Sequence, residues 1–173
     1  IQSAAAIRRP LACSPGGQVV TQLLVRMTRF ALDSNVLAYL AGVSRSPEDD
    51  GKIAHTRTLM RQLAANATLI APAQALGELF IVLRRAGTPA EECRTILIEF
   101  AESLGTANST SRNALAAADL VVDHKLQYRD ALIVTAAAEA GCSMLLSEDM
   151  QHGFVVRGLT IVNPLSGPLH PKL

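Results

Sequence analysis

The chain has 173 residues, enough for one domain with a full core. Its net charge of +1 excludes a whole-protein positive field, so any basic surface for nucleic acid is local. Hydrophobic residues make up 49% and mean hydropathy is +0.25, yet no apolar run reaches the ~18 residues that span a bilayer, and no membrane association is expected.

Aromatic residues contribute only 3%, with no Trp, so the apolar content is mainly Ala, Leu and Val. Such a composition suggests a tight aliphatic core together with an apolar face held against a partner, hence an oligomer. The three cysteines, Cys13, Cys93 and Cys142, fit neither a zinc spacing nor a disulfide framework, which points to a reducing cytoplasm. His55, His124, His152 and His170 are scattered without ligand spacing, so a histidine-based zinc site is not expected.

Residues 1–26 carry Arg8, Arg9 and Arg26 but no acid, and contain the turn-like Ser14-Pro15-Gly16-Gly17. They lack an apolar segment long enough for a secretory signal. We read them as an extension outside the native fold, with Met27 as the natural start and residues 27–173 as one domain. A basic arm touching RNA is the alternative.

Phe30-Ala31-Leu32 is a short apolar run ending at Asp33, and reads as a buried strand. Ser34 and Asn35 are suitable N-caps for a helix from Val36 to Ala41, stopped by Gly42. Ser44 to Gly51 reads as a polar loop in which Glu48, Asp49 and Asp50 form a solvated face. Ile53 to Ala65 has helical apolar spacing; Thr68 to Ala71 reads as a second strand. Pro72 opens a helix with Leu76, Leu79, Phe80 and Leu83 on one face and a stop at Gly87. The next helix is expected to begin with Thr88 as cap, Pro89 at the first helical position and Glu91 completing a capping box, and to run to about Leu104. Further helices are predicted over Ser111–His124 and Asp130–Ala140, and strands at Ser143–Leu146 and Leu159–Val162. Short apolar strands alternating with amphipathic helices indicate a parallel sheet covered on both faces.

In such a sheet, ligands bind beyond the carboxyl ends of the strands. Asp33 follows a strand directly, Asp149 follows another, two residues past Leu146-Ser147, and Glu78 lies in the second turn of the helix leaving the second strand. Asp130 opens a helix that runs back along the sheet, which makes it the least securely placed by pattern alone. Taken singly, each has an ordinary explanation. Asp33 and Asp149 suit a cap or turn, Asp130 suits a helix dipole, and Glu78 suits a solvent face. Taken together, they gather on one rim. Two carboxylates about 5 Å apart repel by roughly 3 kcal/mol at an effective dielectric of 20. A cluster must therefore hold protons or a cation. Oxygen donors without His or Cys favour Mg²⁺ or Mn²⁺. An ion of that kind activates water against a phosphodiester. Glu148 is a candidate secondary ligand.

These same residues carry a family resemblance. Ala31-Leu32-Asp33-Ser34-Asn35-Val36-Leu37 resembles the opening motif of PIN-domain nucleases. Gly77-Glu78-Leu79-Phe80, Tyr128-Arg129-Asp130-Ala131-Leu132-Ile133 and Leu145 to Gly153 resemble the segments with the family's remaining acids, and Val162-Asn163-Pro164 its tail. The resemblance covers roughly Met27 to Pro164 and is nearest to the VapC-like toxins of type II toxin–antitoxin systems. It implies an α/β/α sandwich and a Mg²⁺- or Mn²⁺-dependent endoribonuclease that leaves a 5′-phosphate and a 3′-hydroxyl. It also implies a homodimer and a cognate antitoxin. Asp33, Glu78, Asp130 and Asp149 match the acidic positions; Ser34 or Asn35, and Ser147, match the small polar ones. Tyr128 stands where Trp is common in the relatives, and a packing role is expected for it.

Arg84, Arg85 and Arg129 are candidate contacts to RNA phosphates, although the first two also suit a helix C-terminus. The apolar faces of Ile53–Ala65 and of Val82-Leu83 are open to core, dimer or antitoxin. A receiver-like phospho-signalling module would need a lysine after a late strand, and Lys52, Lys125 and Lys172 are not so placed. A phosphatase with an aspartyl nucleophile would want an acid where Asn35 stands. A PIN-like scaffold without catalysis is disfavoured by retention of all four acids.

Overall fold

The computed structural model describes residues 28–167. The reading of residues 1–26 as an extension, and of Met27 as the start, lies outside them. The described chain runs β1 (Thr28–Leu32), α1 (Ser34–Ala41), α2 (Asp49–Ala64), β2 (Ala67–Pro72), α3 (Ala73–Arg85), α4 (Ala90–Ser103), β3 (Gly105–Ala107), α5 (Ser111–His124), α6 (Tyr128–Glu139), β4 (Met144–Leu146), β5 (Val155–Val156) and β6 (Leu159–Val162).

The strands form one sheet in the order β3-β2-β1-β4-β6-β5. All neighbours pair in parallel except β5, which folds back antiparallel on β6. β1 is central and its last three residues, Phe30, Ala31 and Leu32, are buried, as is all of β4. Continuous burial means that both faces of the sheet are covered, which gives the expected three-layer α/β/α arrangement. The β5–β6 hairpin turns through Arg157 and Gly158, both at positive φ, which suits a tight two-residue turn. No described helix is long and apolar enough to cross a membrane.

The core is aliphatic, as composition suggested. Leu32, Leu37, Met60, Leu79, Leu83, Ile133, Leu145, Leu146 and Ile161 are fully buried. Each buried side chain of this size contributes roughly 1.5–3 kcal/mol relative to exposure. Leu59, Met60, Leu63 and Leu83 are thus core residues, while Ile53 and Val82 are only partly buried.

Several local expectations are corrected. Asp33, rather than Ser34 or Asn35, caps α1: its carboxylate accepts from the Ser34 N–H. α2 starts at Asp49, within the segment read as loop. Asp49 is buried rather than solvated, because its Oδ2 accepts the N–H groups of Arg45 (2.8 Å) and Ser46 (3.2 Å). Backbone hydrogen bonding from Arg45 holds its carboxyl below the usual range. α4 begins without a capping box. Pro89 is the capping residue in extended geometry (ψ 147°) and makes no side-chain cap bond. The chain there folds back over the end of α3, with Thr88 N–H donating to Leu83 O and Thr88 O accepting from Arg84. The capping box occurs instead at α5, where Thr110 and Asn113 satisfy each other's backbone N–H. Strands β3 and β5 were not anticipated.

Candidate active site

β1 and β4 lie side by side, and the ladder continues one residue past each. Asp33 N–H donates to Leu146 O, and Ser147 N–H donates to Val162 O, each at 3.0 Å. Both backbones are thereby fixed at the carboxyl rim. From there the Ser147 hydroxyl donates to Asp33 Oδ2 at 2.6 Å, while Asp33 Oδ1 accepts from Ser34 N–H at 2.6 Å. One carboxylate therefore serves as helix cap and as anchor to the neighbouring strand. Asp33 thus caps α1 and also faces the cavity that the other three acids line.

Helix α3 leaves β2 at the same rim and brings in Glu78. Its Oε2 accepts from the Ser34 hydroxyl at 3.1 Å, and its Oε1 from the Gln74 amide one helical turn earlier, at 3.0 Å. Asp130 lies in the first turn of α6 and is half-buried; Asp149 follows β4 and is exposed. Asp33, Ser34, Glu78, Gln127, Arg129, Asp130 and Asp149 line one cavity of about 210 Å³. The structure thus brings together all four acids, Ser34 and Arg129, with Ser147 bonded from behind.

Burial raises the Asp33 carboxyl to about 6. The hydrogen bonds from Ser147 and Ser34 oppose the rise, while the charges of Asp130 and Glu78 add to it. Asp130 is also raised, first by desolvation and then by Glu78 and Asp149, against the opposing charge of Arg129. Each therefore carries a penalty in its ionised form that a cation would remove.

The residues fit a hard divalent cation in donor type, since the cavity lining offers carboxylate, hydroxyl and amide oxygens and neither His nor Cys. Among the described residues no three such side chains stand close enough to hold an ion as they are.

The other sequence candidates lie outside the lining. Asn35 is buried in α1, where its Oδ1 accepts from the Glu148 N–H at 3.4 Å. Arg84 and Arg85 are exposed at the far end of α3, and Arg84 Nη1 donates to Thr88 O at 2.7 Å. Glu148 turns away from the cavity to bond with Tyr39 and Lys52. Tyr128 is 45% exposed, its hydroxyl donating to Ala114 O, rather than packed. Sequence reasoning missed Gln74 and Gln127. The i, i+4 spacing of Gln74 and Glu78 was the available signal for the first; nothing local marked the second.

Among solved structures, the chain is similar to several toxin–antitoxin proteins. The chain is similar to VapBC2 from Rickettsia felis, solved bound to a promoter DNA fragment, with 16% identity and a TM-score of 0.55 over 70% of this chain and 89% of that one. It is similar to a toxin–antitoxin complex from Klebsiella pneumoniae, with 17% identity and a TM-score of 0.54 over 78% and 96%. It is also similar to VapC20 of Mycobacterium tuberculosis, a Sarcin-Ricin loop cleaving toxin, with 16% identity and a TM-score of 0.52 over 67% and 86%. At these identities the likeness is one of fold. Comparison with curated protein sequences finds no match. The PIN domain model matches residues 30–153, a span holding all four acids and well over half of the sequence, and on that match the chain belongs to the PIN-domain family.

Proposed function

We propose that this chain is a Mg²⁺- or Mn²⁺-dependent endoribonuclease and the toxin of a cytoplasmic toxin–antitoxin pair, acting as a homodimer. The observation that carries the reading is the meeting of Asp33, Glu78, Asp130 and Asp149, from four separate segments, around one cavity. Membership of the PIN-domain family supports the nuclease activity. The fold likeness to toxin–antitoxin complexes supports an antitoxin partner.

Within this reading, a bound divalent cation supplies an activated water and offsets the charge that develops on the phosphodiester. Asp33, Glu78, Asp130 and Asp149 would hold the cation. Ser147 and the Ser34 N–H fix both oxygens of Asp33, so that it presents a constant geometry. Ser34 and Gln74 do the same for Glu78. Arg129, the basic residue in the cavity lining, faces a substrate phosphate, and the Gln127 amide offers a hydrogen bond beside it.

The test is cleavage of RNA by purified protein in excess EDTA, then after adding Mg²⁺ or Mn²⁺. Activity should vanish and return. Undiminished cleavage in EDTA contradicts the metal-dependent reading. A protein that binds Mn²⁺ but cuts no RNA favours a binding scaffold.

A further inference from the structure

We propose that the ion pair between Lys52 and Glu148, braced on the Tyr39 hydroxyl, positions the loop that carries Asp149 and so sets how well the cavity holds a divalent cation. Lys52 Nζ lies 2.6 Å from Glu148 Oε1, and the Tyr39 hydroxyl donates to Glu148 Oε2 at 2.5 Å. Lys52 Nζ also donates to the Tyr39 oxygen at 3.4 Å, as does Arg45 Nη2 at the same distance. Both cations lie over the Tyr39 ring, 5.7 Å (Lys52) and 5.8 Å (Arg45) from its centre. Asp49 completes the set, 3.6 Å from Lys52 and 3.9 Å from Arg45. The network joins α1, the start of α2 and the turn after β4.

The backbone of Glu148 is gripped as well. Its N–H donates to Asn35 Oδ1, and its carbonyl accepts from Asn163 Nδ2 at 3.1 Å. Glu148 is thus fixed at side chain, N–H and C=O, directly between Ser147, which holds Asp33, and Asp149 in the cavity lining. Lys52 is 33% exposed and Glu148 21%. A pair so exposed adds little to global stability. What it restricts is the path of the chain into Asp149.

Lys52 and Glu148 are therefore positioning residues, acting through the loop rather than on substrate. The inference rests on the metal-dependent reading above, and its test separates the two. Parental protein, Lys52→Met, Glu148→Gln and Lys52→Arg are compared in Mn²⁺ affinity, read from the spin-resonance signal of free Mn²⁺. They are also compared in amide hydrogen exchange at residues 148–150 in EDTA. Lys52→Met and Glu148→Gln should each weaken Mn²⁺ binding about tenfold. Both should speed exchange at residues 148–150, with a melting temperature within a few degrees of parental. Lys52→Arg should restore most of the affinity. Mn²⁺ affinity and amide exchange both unchanged in Lys52→Met and Glu148→Gln overturn the proposal. If Lys52→Met does not fold, Glu148→Gln decides alone. If the parental protein binds no Mn²⁺, the metal-dependent reading fails, and exchange in the metal-free protein still decides whether the pair positions the loop.

Discussion

The Ser147 hydroxyl donates to Asp33 Oδ2 across 2.6 Å, joining side chains 114 residues apart in the chain. The bond spans the ends of two adjacent parallel strands and is buried, so water cannot replace it cheaply. It is also the strongest influence opposing the upward shift of the Asp33 carboxyl. Ser147→Ala should therefore raise that carboxyl above its present value of about 6. Removing a hydrogen bond to a charged group should cost about 1.5–3 kcal/mol where Asp33 is ionised. Titration of the Asp33 carboxyl carbon by NMR in metal-free protein measures the shift; a midpoint equal to the parental one contradicts it.

Asp33 makes a pH dependence with a definite sign. The unfolded chain releases this proton near the ordinary 3.8, the folded protein near 6. Between those values the folded state binds more protons, so stability falls as pH rises through the window and stays lower above it. Asp33→Asn removes the ionisation and should melt higher than parental at pH 7 in EDTA. The stabilisation should be on the order of 2 kcal/mol and shrink towards pH 4. The same variant should not cleave RNA. Thermal melts across pH 4 to 7 check the trend; a gap that widens towards acid contradicts it.

Arg129 lines the cavity, and its charge opposes the upward shift of the Asp130 carboxyl. Arg129→Ala should weaken RNA binding and reduce the slope of log affinity against log salt by about one. Affinity measured over a series of salt concentrations checks both. An unchanged slope removes Arg129 from phosphate contact.

The Thr110–Asn113 capping box holds the start of α5, and neither residue lines the cavity. Thr110→Ala should cost about 1 kcal/mol of stability. Mn²⁺ affinity should stay at the parental value, which separates loss of fold stability from loss of the site. A combined denaturant titration and Mn²⁺ titration checks this; a fall in both would couple α5 to the acids.

The central strands and all six helices among the described residues were legible in the sequence because each carries a local signature. Met144-Leu145-Leu146 is apolar throughout, as a parallel strand covered on both faces must be, and of the α3 face read at Leu76, Leu79, Phe80 and Leu83, Leu79 and Leu83 are buried and Leu76 and Phe80 partly so. β3 is a three-residue edge strand of Gly105, Thr106 and Ala107, with no apolar run to mark it. β5 is two residues long and exists only through pairing with β6. Asp33 and Asp149 were legible because topology rules place strand ends on one rim, and Glu78 because α3 leaves β2 there; Asp130, on α6, was marked mainly by the family resemblance. Their supporting contacts were not, since Ser34 with Glu78, Tyr39 with Glu148 and Lys52 with Glu148 are each set by packing between remote segments. Asp49 was misread for the opposite reason. An acid-rich stretch looks solvated until two backbone N–H groups turn inward to one of its members.

The most direct measurement is Mn²⁺ binding, counted by spin resonance of the free ion, in parental protein and in Asp33→Asn, Glu78→Gln, Asp130→Asn and Asp149→Asn. Each substitution should weaken the same site, by tenfold or more for the acids that hold the ion. Parental affinity retained in all four variants would show that these acids do not share a cation.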